Sequence, residues 1–155
     1  MKKPVAVRAA SVASKSGSGY PEPFNTTVGG ASWRPLGDQF DLTQFGINLE
    51  VFQPGDQSAL RHWHSLSDEF VYVLAGEITL VTDQGESVLE PGMCVGFKAA
   101  VRNGHHFINR SSREAQLLVM GARIPGDTAF YPDDDLAWFP TADGKVAAHK
   151  DGRPY

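Results

Sequence analysis

Two histidines stand two residues apart in LRHWHSLSDEF, residues 60–70, and a glutamate follows the second by five positions. In extended chain, residues i and i+2 project from one face. His62 and His64 therefore point together, while Arg61 and Trp63 face the other way, toward the outside or a dimer contact. Glu69 opens the next run, EFVYVL, on a face with Val71 and Val73. If the two runs pair as a hairpin through SLSD, two imidazoles and a carboxylate converge. That donor set suits one divalent first-row metal ion, such as zinc, iron, manganese or nickel. A few protein ligands with an open coordination position suit chemistry rather than a purely structural site.

The chain has five histidines, and two more adjoin each other in NGHHFIN, residues 103–109. Strand neighbours face opposite sides, so one of this pair is a candidate fourth ligand. His105 is the first choice and His106 the alternative. Phe107 shares a face with His105 and, with Leu60, Val71 and Val73, is a candidate for the apolar lining of a small-ligand pocket. Arg102, in the loop before His105, is a candidate for attracting an anionic substrate.

The elements that must position these groups read as strands. FGINLEVF (45–52) alternates Phe45, Ile47, Leu49 and Val51 with Gly46, Asn48 and Glu50, a period of two. EFVYVL, ITLVT, ESVLE, MCVGF, HHFIN and AQLLVMGAR continue the series, separated by turn residues such as QPGDQ and the hairpin signal DQG. No amphipathic helix interrupts them. Short strands at such spacing predict an all-β sandwich or barrel over residues 45–122. Residues 1–44 are rich in Gly, Pro and small polar residues and read as an irregular N-terminal arm. Tyr20, Phe24, Trp33 and Phe40 punctuate it, so the arm is expected to pack on the core or on a partner subunit. Residues 123–155 read as a C-terminal extension packed on the barrel. Its acidic run Asp133–Asp135 is expected to be a solvated turn or helix start.

Composition narrows the class. The 155 residues, 41% hydrophobic and 21% charged, fit one globular domain. Fourteen basic against eighteen acidic residues leave no basic excess to hold a phosphate backbone, so no nucleic-acid partner is expected. No segment has the length of a membrane span, and the N-terminal apolar run is broken by Pro4 and Arg8, so a cytoplasmic protein is expected. The single cysteine, Cys94, lies in an apolar stretch and reads as a buried small hydrophobe.

Taken together, PGDQSALRHWHSLSDEFVYVLAGE resembles the first motif of the cupin superfamily: a glycine, HxH, a glutamate and a glycine, here Gly55, His62, His64, Glu69 and Gly76. PGMCVGFKAAVRNGHHFINRS resembles the second, with Gly92, His105 and Asn109, though Lys98 and Ala100 stand where that motif has a proline and a glycine. The resemblance implies a jelly-roll, or double-stranded β-helix, barrel with His62, His64, Glu69 and His105 as metal ligands. It also implies a small-molecule substrate or ligand. Isomerases and dioxygenases acting on sugar-, carbonyl- or carboxylate-type molecules occur on this scaffold, as do non-catalytic binding modules. An exposed strand edge and the aromatic arm predict a homodimer.

Overall fold

The computed structural model describes residues 3–155. Its twelve strands are β1 (Ser32–Pro35), β2 (Phe45–Phe52), β3 (Trp63–His64), β4 (Glu69–Ala75), β5 (Ile78–Thr82), β6 (Gly85–Leu89), β7 (Cys94–Phe97), β8 (His106–Ile108), β9 (Ala115–Ala122), β10 (Ala129–Phe130), β11 (Ala137–Thr141) and β12 (Gly144–Ala148). Helical structure among the described residues is limited to three single 3-10 turns, and no helix is long and apolar enough to cross a membrane.

The strands form a five-stranded antiparallel sheet in the order β1-β2-β9-β4-β7, opposed by a three-stranded sheet, β6-β5-β8. Phe52, Val71, Val73, Ala115 and Leu117 from the first sheet pack with Ile78, Leu80, Leu89 and Phe107 from the second. The sheets face each other as an open jelly roll and do not close into a complete barrel. The period-two pattern places the strands well. β2 and β5 coincide with the stretches FGINLEVF and ITLVT, and the DQG signal makes the β5–β6 hairpin, with Gly85 at φ +112°. Gly76 also needs its lack of a side chain: a Cβ there would collide with the Glu114 carbonyl oxygen.

Several expectations change. β3 does not pair with β4. Both edges of β4 are taken, by β9 and β7, and β3 pairs instead with β10, setting His64 opposite Ala129 and Trp63 opposite Phe130. The SLSD segment is a loop tied down by one carboxylate: Asp127 accepts hydrogen bonds from the backbone N–H of Leu66 (2.7 Å) and Ser67 (3.2 Å) and from the Ser65 hydroxyl (3.1 Å). Residues 32–35 of the arm form edge strand β1. Cys94 is exposed rather than buried, because its position on β7 projects from the outer face of the sheet, opposite Tyr72. Arg61 is not left to solvent: Asp133 grips its guanidinium through Nε (2.6 Å) and Nη2 (2.7 Å), and Asp83 pairs with Nη1. The acidic run is thus a turn that serves Arg61 and, through Asp135, His149 (2.8 Å).

A second cluster joins the two chain ends. Val28 from the arm, Leu60, and Tyr131 and Leu136 from the C-terminal segment are buried together, with Tyr20, Phe24 and Trp138 against them. The Trp138 indole donates to the Tyr131 hydroxyl at 2.9 Å.

Candidate metal centre

His62 and His105 are brought side by side by the backbone. Each donates its N–H to the other's carbonyl, at 3.1 and 2.8 Å, an isolated bridge between two distant segments. Glu69 reaches the same point from the first position of β4. One donor atom each from His62, Glu69 and His105 lie within 4.8 Å of one another. His64 stands beside them: its Nε2 is 4.0 Å from Glu69 Oε2, and its ring centroid is 5.1 Å from that of His62. Cooperation of β3 with β4 was expected to come from direct pairing. It comes instead from the Asp127-bound loop.

The surroundings set the chemistry of each ring. His62 Nδ1 lies 2.8 Å from the Leu60 carbonyl oxygen, which can only accept, so Nδ1 carries the proton and Nε2 keeps a free lone pair. Burial, with the neighbouring His105 charge, lowers the His62 pKa to about 4, so the ring is neutral at physiological pH. His64 Nδ1 donates to Asp127 Oδ2 at 2.8 Å, which likewise leaves Nε2 as the free acceptor. Desolvation acts to raise the Asp127 carboxyl, but hydrogen bonds from Leu66 N–H, the His64 ring and Ser67 outweigh it and hold its pKa down at about 2. A histidine whose far nitrogen is held by a carboxylate or carbonyl is the usual arrangement behind a metal-bound imidazole.

Glu69 is also an anion. Burial opposes its charge, but the nearby imidazoles, His105 foremost, pull its pKa below the usual carboxylate value. His105 is 2% exposed, and neither of its ring nitrogens has a hydrogen-bond partner; Glu69 Oε1 lies 3.5 Å from Nε2. A buried imidazole with two orphaned nitrogens is costly unless something else satisfies it. A divalent ion with ligands at about 2.1 Å fits that need and this donor set. His106 is turned away, its Nδ1 3.2 Å from Gln57 Nε2, so His105 is the member of the pair that enters the cluster.

A cavity of about 190 Å³ opens onto this group, with His64, Glu69 and His105 in its lining. Trp63 and Phe97 supply its aromatic surface, and Lys98 its one full cation. Phe97 stacks on the His105 ring, 3.5 Å between centroids and 6° between planes. The residues expected to contact substrate lie elsewhere. Val71, Val73 and Phe107 are packed in the core, and the Arg102 guanidinium sits 5.9 Å over the Trp63 ring. Trp63 was expected to face away. β3 has only two residues, so its pairing with Phe130, with rings stacked at 4.4 Å, sets its direction more than alternation does. Asp127 and Phe97 had no distinguishing signal in the sequence. The first is a loop residue far from its histidine, and the second belongs to a stretch that reads as plain core.

The description Cupin domain applies to a family model that matches residues 48–121. Among solved structures, a sugar phosphate isomerase from a cupin superfamily of Silicibacter pomeroyi is 43% identical. The match covers 97% of this chain and 96% of that one, with a TM-score of 0.91. A protein of Acidithiobacillus ferrooxidans, provisionally assigned as a sugar phosphate isomerase, is 28% identical over 82% of this chain and 80% of its own, with a TM-score of 0.74. The polyketide cyclase of Streptomyces resistomycificus shares the fold at 21% identity, over 82% of this chain and 83% of its own, with a TM-score of 0.63. No curated protein matches the chain.

Proposed function

The chain belongs to the cupin superfamily, and on that premise we propose that it is a metal-dependent isomerase of a small sugar-type molecule bearing an anionic group. The observation that carries this reading is the buried, unpartnered His105 beside Glu69 and His62, at the head of a cavity of small-molecule size. His62, His64, Glu69 and His105 are the proposed ligands. A divalent ion held there supplies Lewis acidity toward a substrate carbonyl or hydroxyl oxygen. The chain's own groups do the rest. The Leu60 carbonyl and Asp127 fix the proton on the far nitrogen of His62 and His64, and Phe97 holds the His105 ring in one plane. Lys98 supplies a positive charge to the cavity, toward the phosphate or carboxylate of the substrate. The 43% identity to a sugar phosphate isomerase supports the substrate class.

The same proposal includes a homodimer. The outer face of the five-stranded sheet presents Phe45, Phe70, Tyr72 and Leu74 to solvent, an apolar surface that a second copy would cover. The exposed, unpaired Cys94 supports a reducing compartment such as the cytoplasm.

Elemental analysis of the purified protein tests the core of this reading. About one equivalent of transition metal is expected in the wild type. His62→Ala is expected to lose most of it. Wild-type protein that stays metal-free after growth in supplemented medium overturns the proposal.

A further inference from the structure

One inward-facing, half-buried acid has no place in the ligand set. Glu50 lies on β2, where it registers with Leu117 of β9 and Trp33 of β1. Leu117 is fully buried and registers in turn with Val73, so Glu50 points to the inside of the jelly roll, on the face of the sheet that also carries Glu69. Asn48 and Gly46, which precede it at intervals of two, share that face, with Gly46 and Glu69 flanking Gly121 in one cross-strand row. The interior above the core is therefore not sealed by apolar side chains on this side. A Cβ placed on Gly121 would meet nothing within 4 Å, so open space lies next to Glu69 in the direction of β2.

Glu50 has no hydrogen-bond or salt-bridge partner among the described residues; what acts on its carboxyl is burial and the charge of Glu69. A structural role would give an inward carboxyl a partner, as Asp127 has. A group left free, inside, and within the field of the proposed metal ligands is placed for a substrate.

We propose that Glu50 is the catalytic acid–base of this site, the residue that carries a proton between two adjacent substrate carbons. The assignment rests on the isomerase reading above. Glu50 takes the proton from the carbon next to the substrate carbonyl. The C–H electron pair becomes the carbon–carbon double bond of an enediol as the carbonyl oxygen gains a proton. In the second half the neighbouring hydroxyl gives up its proton and becomes the carbonyl, and Glu50 returns its proton to the former carbonyl carbon. No oxidant or reductant is consumed. Burial, reinforced by Glu69, raises the Glu50 pKa to about 7, so both its acid and base forms are present near neutrality, the condition under which such a group works best.

The test uses metal-loaded full-length protein in deuterated water, with terminally phosphorylated glyceraldehyde, ribose and glucose as probes and NMR as the readout. Wild type is expected to isomerise one of them and to place solvent deuterium on the carbon that receives the proton. Glu50→Gln, nearly isosteric, is expected to keep its full metal content and a KM within about threefold, while kcat falls by about 10²–10⁴. Glu50→Asp is expected to recover part of that loss. If the Gln variant turns over within about threefold of wild type, or loses its metal, the assignment of Glu50 is overturned and the isomerase reading stands. A metal-loaded wild type that neither isomerises nor exchanges any probe overturns the isomerase reading, and the role of Glu50 with it.

Discussion

The two faces of the five-stranded sheet divide their residues in opposite ways. On β4 the ordinary rule holds: Val71 and Val73 point inward at 0% exposure, while Phe70, Tyr72 and Leu74 point outward at 37%, 38% and 44%. On β2 the rule inverts. Gly46, Asn48 and Glu50 share the face of Val71 and Val73, and Phe45, Ile47, Leu49 and Val51 take the other, in register with Leu118 and Met120 of β9, with Phe45 exposed, Ile47 and Val51 half-buried and Leu49 buried. A sheet that only had to bury apolar surface would do the reverse. The inversion turns polar groups toward the side of the sheet that carries Glu69. It also leaves the outside of the sheet more apolar than water favours.

The sharpest test of this contrast compares neighbours on β9. Leu117→Ala, on the inner face, is expected to cost about 2–5 kcal/mol of folding free energy. Leu118→Ala, on the outer face, is expected to cost under about 1 kcal/mol in dilute protein. Urea denaturation measures both, and equal losses would break the assignment of faces. The next effect depends on pH. Glu50 has its folded-state pKa raised from 4.5 to about 7. Below the unfolded value both states hold the proton and the group contributes nothing. As pH rises through 4.5 toward 7 the unfolded chain releases its proton first, so the folded state loses relative stability. Above 7 that penalty is complete, on the order of 3 kcal/mol. Glu50→Gln cannot ionise, so it is expected to match wild type at pH 4 and exceed it in thermal stability at pH 8. A variant no more stable at pH 8 would show that the inner face of β2 is less enclosed than described. The smallest effect on folding belongs outside. Tyr72→Glu is expected to change monomer stability by under about 0.5 kcal/mol. It is also expected to halve the mass seen by light scattering. A wild type that is already monomeric at high concentration would sink the homodimer.

Much of the fold was readable because strand alternation is a local property. The extents of β2, β4 and β5 follow from period-two stretches bounded by turn residues. His62, His64, Glu69 and His105 stood out because a metal needs particular donor atoms, and few residue types supply them. What was not readable depends on tertiary partners. Period two says which residues share a face but not which face is inside, and on β2 the apolar set turned outward. β3 is too short for alternation to bind it, so Trp63 follows its stacking on Phe130 into the cavity wall. Asp127 fixes His64 from a loop whose own sequence, PGDT, reads only as a turn. Arg102 was a reasonable anion partner by its position in the chain, but Trp63 holds it, and Lys98 is the cation that lines the cavity.

The position of β9 in the sheet order also has a consequence for how the chain is made. β2 and β4 are not neighbours, since β9 lies between them and hydrogen-bonds to both. On a ribosome, residues 45–75 emerge well before residues 115–122, so β2, paired with β1, and β4, paired later with β7, each keep one edge open until the last strand of their sheet arrives. During that interval the outward apolar row of β2 and the unsatisfied edge of β4 are open to other nascent chains. His62 is also without the backbone of His105 that later clamps it. Synthesis is therefore the stage at which this protein is most exposed to aggregation, and slowing translation after residue 75 would lengthen that exposure.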